Sequence, residues 1–342
     1  MFTFQKLYYL RNIYRNCMKF KSLFALGAFF ALNTSLFSQQ DPQFTQFYFN
    51  KTFINPAAAG IHNNICVNLM NRYQWAGFEG SPLTNQLTVD AGLKNIIGHD
   101  VGVGLSVYND RLGFFNHTGL RLAGAYGFQV GGTGRLRVGI DLGFMNTIVD
   151  GSKWQAPQTV LGDPLIPASG SGLTFNAGAG VYYQANNWYA GISASNIPGL
   201  RAKNVNITQA RHMYIMGGYT FQGVGNPRLD INPNAIIKTD FKYIPSFDIN
   251  CNIIWDKRYW GGLTYRFQDM ISIGGGAVIW QTSKHNLTAS YTYDLTTSRI
   301  LRFSSGSHEL LLKYCFVIEI DKPSGGGFIV RDLGSRARRY AP

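Results

Sequence analysis

Charge is scarce in this chain. Asp, Glu, Lys and Arg make up 14% of its residues, against about a quarter in an ordinary soluble domain. Acids are the scarcer sign, 18 against 31 basic residues, for a formal net charge of +13. The basic residues are scattered and framed by no binding motif, so nucleic acid is not an expected partner. No run of about 18 apolar residues follows residue 40, which argues against membrane-spanning helices. The four cysteines (Cys17, Cys66, Cys251, Cys315) form no metal-like pair and indicate no disulfide scaffold. His62, His99, His117, His212, His285 and His308 are not paired at ligand spacing, so no metal is expected. "GGTGRL" lacks the Lys-Ser/Thr of a phosphate loop and reads as a hairpin turn. There is no G-x-S-x-G elbow, and nothing singles out a nucleophile for His117 or His212. The expectation is a protein that is not an enzyme and has no cofactor.

What is abundant is glycine (39 residues) and aromatic side chains (14%). Together with Asn and Thr they suit strands and turns. Mean hydropathy is near neutral at −0.07, the average that alternating lipid-facing and lumen-facing residues give in a membrane barrel. At the front, "MKFKSLFALGAFFALNTSLFSQQ" has the form of a secretory signal: basic Lys19 and Lys21, an apolar stretch from Leu23 to Leu32, and Ser38 before Gln39. Met18 then reads as the true start, residues 1–17 as an upstream extension and 18–38 as the signal. Those 38 residues hold five basic residues and no acid, leaving +8 for the rest.

Beyond residue 60 the side-chain period is two almost throughout. Leu83, Leu87, Val89, Ala91 and Leu93 share one face, against Thr84, Gln86, Thr88 and Asp90; Leu136, Val138, Ile140, Leu142 and Phe144 oppose Arg137, Gly139, Asp141 and Gly143. This pattern predicts fourteen strands: 63–74, 83–93, 99–109, 115–130, 134–147, 172–185, 187–197, 210–222, 228–240, 243–255, 257–267, 269–280, 284–296 and 306–320. The connections alternate between short turns and longer loops, the latter including 148–171 and 198–209, as they do between the periplasmic and outer ends of bacterial barrels. Charges fall on the presumptive inner face at Arg72, Asp90, Arg121, Arg137, Asp141, Lys238, Asp248, Arg266, Asp294, Glu309 and Lys313. Facing lipid, each would cost up to about 2–4 kcal/mol at mid-depth. A water-soluble sandwich is the alternative, but strand number, length and parity favour an all-β transmembrane antiparallel barrel. Trp75, Phe78, Phe144, Trp188, Trp255, Trp260 and Trp280 fit interfacial girdles. Cys66 and Cys315 point inward from the first and last strands, and the simple reading is two small inward residues rather than a disulfide.

The segment ahead of the strands, "QQDPQFTQFYFNKTFINPAAAG", has neither period. Its aromatics (Phe44, Phe47, Tyr48, Phe49, Phe53) would avoid bulk water and its amides suit a polar wall. The expectation is a plug in the lower, periplasmic half of the lumen, the alternative a leader that orders only with a partner.

These stretches carry a family resemblance. The pattern DPQF-x-Q-(F/Y)-x-x-N…NPA-x-AG spans Asp41, Pro42, Gln43, Phe44, Gln46, Asn50, Asn55, Pro56, Ala57 and Gly60. R-x-QW-x-G follows at Arg72, Gln74, Trp75 and Gly77, and a valine–glycine strand ends in Asn109 and Asp110. With "SHELLLKYCF" near the end, the chain resembles the PorP/SprF family of type IX secretion outer-membrane proteins. The likeness reaches about residue 320 and is most specific in the first hundred residues. It implies a non-enzymatic barrel that works with the secretion and gliding machinery, with partners of two kinds. One is a secreted cargo or surface adhesin; the other is the periplasmic ring lipoprotein and its companion. The domain reading is then 39–62 a periplasmic or plug segment, 63–320 the barrel in the lipid bilayer, and 321–342 a basic periplasmic tail holding Arg331, Arg336, Arg338 and Arg339. The expected location is the outer membrane. The loops 148–171 and 198–209 would meet cargo, while the N-terminal segment and the tail would face the periplasm. Two other functions stay open: a channel of fatty-acid-transporter size, and a barrel hydrolase.

Overall fold

A computed structural model describes residues 38–39, 41–77, 79–153, 169–202, 204–205, 207–241 and 245–317. The proposed upstream extension, nearly all of the signal, Phe78, most of the 148–171 loop and the basic tail lie outside the described residues. Alternation becomes structure as a closed barrel of fourteen antiparallel strands. In chain order these are β1 (Ile65–Tyr73), β2 (Leu83–Gly92), β3 (Val101–Leu112), β4 (Phe115–Val130), β5 (Gly134–Val149), β6 (Gly170–Gln184) and β7 (Trp188–Ser195). Then come β8 (His212–Tyr219), β9 (Leu229–Thr239), β10 (Ser246–Trp255), β11 (Tyr259–Arg266), β12 (Met270–Gln281), β13 (His285–Thr296) and β14 (Ser307–Phe316). All fourteen expected strands are present, with ends shifted by a few residues. Each pairs with its neighbours in sequence, and β14 pairs with β1 in a register that sets Glu309 opposite Arg72 and Cys315 opposite Cys66. Closure leaves no strand edge unpaired, the condition for a sheet to sit in lipid. Among the described residues no helix is long and apolar enough to cross a membrane.

The two faces separate as the period requires. Ile140, Leu142, Leu173 and Ile273 are exposed on the outside, while Arg72, Arg137, Arg266, Asp248, Asp294 and Glu309 are buried inside. Among the expected girdle residues, Trp188, Trp255 and Trp280 lie exposed on the outer face. Trp260 does not belong with them. It sits at an inward position of β11 and packs on Phe49, with ring centroids 5.2 Å apart.

Two further expectations are corrected. Cys66 and Cys315 form a disulfide. Barrel closure, not sequence proximity, brings them together across a separation of 249 residues, and it lies at the short-turn end of the seam where the first and last strands meet. The 198–209 connection is also more than a loop. It contains a two-stranded turn, Arg201–Ala202 with Ile207–Gln209, and Ser38–Gln39 adds to it as a third, parallel strand. The front of the described chain therefore starts at the long-loop end of the barrel.

Removing the staple tests the seam. Cys66→Ser should lower the unfolding free energy in detergent by about 2–5 kcal/mol, the range for losing a native disulfide, while the barrel keeps its heat-modifiable migration on a gel. No change in the unfolding midpoint would count against a stabilising role.

Candidate functional site: a luminal segment bonded to the charged wall

The segment from Asp41 to Ile61 runs down the lumen from the long-loop end to the start of β1 at the short-turn end. This corrects the expectation of a plug confined to the lower half: the segment runs from one end of the lumen to the other. Local sequence sets its shape. Pro56 starts a single 3₁₀ turn, Pro56–Ala58, and Asn55 caps it by accepting from the Ala57 N–H at 3.0 Å. Proline suits a first helical position, where no amide hydrogen is needed. The NPA triplet is thus a self-capped turn, preceded by one turn of helix at Lys51–Ile54.

At the top, Asp41 accepts hydrogen bonds from Ser195 Oγ (2.8 Å), Asn196 Nδ2 (2.9 Å) and Tyr214 Oη (3.2 Å), with His212 Nδ1 3.9 Å away. Burial pushes its carboxyl up, but His212, Arg121 and the Asn196 and Ser195 bonds outweigh that and hold it below the ordinary carboxylate value. Ser195, His212 and Asp41 meet here, yet Ser195 donates to the carboxylate and not to the imidazole. The arrangement serves as an anchor and differs from a nucleophile–base–orienter relay.

Just below, still toward the long-loop end, the wall charges close on the segment. Arg72 Nη1 lies 2.7 Å from Asp294 and 2.9 Å from Glu309. Glu309 in turn accepts from the backbone N–H groups of Thr45 and Gln46, both at 2.8 Å, and Asp294 accepts from Thr45 Oγ1 at 2.8 Å. Arg266 grips Asp248 with two guanidinium nitrogens, each at 3.0 Å, and reaches the Phe44 carbonyl. Lys238 bridges Asp248 (2.8 Å) and Gln43 (3.1 Å). Gln46 accepts from Ser290 at 2.5 Å, and Asn50 exchanges side-chain bonds with Gln86. Arg121 lies 4.1 Å over the Phe53 ring. Around these contacts the segment's aromatics form two cores with inward wall residues: Phe47 with Tyr182, Met216 and Ile236, and Phe44 and Phe53 with Met70, Tyr108 and Leu311.

At the bottom, Arg137 donates to the carbonyls of Ala57 (3.1 Å) and Ala59 (2.6 Å) while pairing with Asp100 at 2.6 Å. Asp90 accepts from the Gly60 N–H at 3.1 Å. Asn55 Nδ2 donates to the carbonyls of Val181 and Ile192, and Ser193 to that of Ile54. Every polar member of the DPQF…NPA…G motif from Asp41 to Asn55 therefore bonds to the barrel wall. In the second motif Arg72 joins the lumen network, and Asp110 accepts from Thr84 at 2.6 Å. Trp75 donates its backbone N–H to Ser307, Gly77 turns the first long connection at φ +121, and Asn109 bonds Asn116 and Thr118. Gln74 begins that connection, its N–H on the Pro82 carbonyl. Asp141 is buried inside near Arg121. Lys313 stands apart, lining a recess at the short-turn end with Lys51. Among the described residues no group of three or more His, Cys, Asp and Glu side chains converges as metal ligands.

Sequence reasoning missed the wall glycines that seat the turn. A Cβ on Gly102 would strike the Ala59 carbonyl, one on Gly139 the backbone of Ala57 and Pro56, and one on Gly180 the Asn55 side chain. The signal was available, since Gly102 and Gly139 occupy inward positions of the alternation, but an inward glycine gains meaning only once something packs on it.

Gly139→Val should force the Asn55–Ala59 turn off the wall at a cost of about 1–3 kcal/mol, read as faster limited proteolysis within residues 41–60. Gly124→Val, at an outward position with open space around it, should leave that rate unchanged; equal effects would refute the seating. Asp41 gives a pH test. Its folded value lies below the ordinary 3.8, so its contribution is full above pH about 4 and is lost as pH falls through the lower folded value. Asp41→Asn should remove that acid-dependent step from the unfolding profile, and a profile unchanged by the substitution would refute it.

No curated protein matches the chain by sequence. Among solved structures, the CymD monoaromatic hydrocarbon channel is similar over 81% of this chain and 94% of its own, with a TM-score of 0.50 at 10% identity. A Pseudomonas aeruginosa FadL homologue gives 0.46 at 12% identity over 82% and 95% of the two chains, and Acinetobacter baumannii Omp33 gives 0.41 at 6% over 75% and 99%. At such identities the first likeness speaks for the barrel fold alone. The family profile described as type IX secretion system membrane protein PorP/SprF matches residues 36–314, the whole of the luminal segment and all but the end of the last strand. With the motif residues of that segment bonded into the barrel wall, the chain belongs to the PorP/SprF family of type IX secretion system membrane proteins.

Proposed function

We propose that this protein is a plugged, non-catalytic barrel of the outer membrane that serves the type IX secretion apparatus as an anchor and docking platform. Its long-loop end faces the exterior and an exported cargo; its short-turn end faces the periplasmic ring components. The observation that carries the reading is the luminal segment, bonded to the wall from the long-loop end to the short-turn end. A closed sheet satisfies its backbone in lipid and gives a rigid frame. The turn Arg201–Ala202 and Ile207–Gln209 gives the outer end an ordered surface for cargo. This reading moves the N-terminal segment's contact from the periplasmic side to the outer one.

A second reading, a channel, draws on the fold shared with the CymD monoaromatic hydrocarbon channel. The two differ in conductance. In planar bilayers the intact barrel should be almost silent, and deletion of residues 41–60 should open it to ions. A conducting intact protein would favour the channel. Pull-down from native outer membranes should recover ring components or a cargo carrying a sorting domain; recovery of neither would sink the platform reading.

A further inference from the structure

At the short-turn end the luminal segment stops short of the rim and leaves an open recess of about 410 Å³. Its inner wall is formed by Tyr48, Phe49 and Lys51, and Lys313 enters from β14. Two features of the recess bear on what it could bind. The first is uncompensated positive charge. Among the described residues neither Lys51 nor Lys313 has a carboxylate in ion-pair contact. Lys51 Nζ rests 3.6 Å from the centre of the Tyr189 ring, and Asp90, which attracts Lys313 from a distance, is already bonded to the Gly60 N–H. Burial, with the Lys313 ammonium adding repulsion, pulls Lys51 down to about 7, a shift that an anion bound beside it would reverse. The second feature is the rest of the lining. Phe49 and Trp260 meet there at 5.2 Å, and asparagines of β9, β10 and β13 (Asn232, Asn252 and Asn286) line it beside them.

We propose that this recess is a binding site for an acidic saccharide, entered from the short-turn end. The carboxylate is held by Lys51 and Lys313, a ring face packs on Phe49 and Trp260, and the amides offer hydroxyl groups the capacity left by their own bonds to Tyr219, Thr220 and Asn250, the amide oxygens as acceptors above all. The volume suits a ligand of one or two sugar rings, at the lower end of the range for small-ligand pockets. An acidic peptide would use the lysines but has no need of paired aromatic faces beside clustered amides. The site lies at the opposite end of the lumen from the Asp41 anchor and is independent of whether the barrel conducts.

The test uses the full-length barrel in detergent and follows tryptophan fluorescence, for which Trp260 is the reporter, with calorimetry alongside. Glucuronate should change the signal saturably, and glucose, which lacks only the carboxylate, should bind at least about tenfold more weakly, the loss expected for one charge-assisted contact. The double variant Lys51→Gln, Lys313→Gln should weaken glucuronate to the level of glucose while keeping heat-modifiable migration. If that variant does not fold, Trp260→Phe serves instead, with the saturable signal lost and glucuronate affinity reduced in calorimetry. Equal affinity for glucose and glucuronate, no saturable binding of either, or binding of triglutamate with none of glucuronate would each overturn the proposal.

Discussion

The structure depends on a polar inner wall finding partners. A sheet that closes in lipid satisfies its own backbone, but the period of two turns half of its side chains inward, and here those include arginines, aspartates and a glutamate. Left in a low-dielectric interior, such charges carry a desolvation penalty of several kcal/mol each. Arg72, Asp248, Arg266, Asp294 and Glu309 pair with one another, Arg137 with Asp100, and most of them also bond to the chain's own N-terminal segment. Glu309 receives two backbone N–H groups as well as Arg72, and Arg137 spends two of its nitrogens on backbone carbonyls of the segment. The wall is thus complementary to one irregular stretch of backbone.

That complementarity explains why the segment resembles no regular element. Its carbonyl and amide groups must reach the wall, which a helix or strand would engage internally. The self-capped turn at Asn55–Ala58 brings the backbone against β3, β5 and β6, where glycines leave room for it. Two aromatic cores fill the space between the polar contacts. Breaking one buried partner leaves an uncompensated charge, so removing a single wall residue costs more than the net worth of its pair.

The seam is treated differently. The strands that close the barrel are the most distant in sequence, and their pairing must overcome the entropy of joining the chain's two ends. Across that junction the Arg72–Glu309 pair sits toward the long-loop end and the Cys66–Cys315 disulfide at the other. The same strand, β14, carries Glu309 for the plug and Lys313 for the open recess below it. One strand therefore contributes both to the part of the lumen that the segment fills and to the recess below it.

Much of this was legible in the chain itself. Side-chain alternation is a local property, so fourteen strands and the inward charges from Arg72 to Lys313 could be read directly, and the paired inner and outer faces excluded a helical membrane protein. The DPQF and NPA motifs marked the segment that matters. What alternation cannot carry is which distant groups meet. Trp260 reads like any aromatic near a strand end until Phe49 is found beside it, and the disulfide exists only because closure sets residue 66 beside residue 315. The descent of the segment from the long-loop end, and the strand that Ser38–Gln39 adds there, follow from contacts with β7, β8 and a turn more than 150 residues away. Local periodicity determined the wall; only the three-dimensional arrangement decided what fills it, because burial and charge pairing depend on proximity in space and not along the chain.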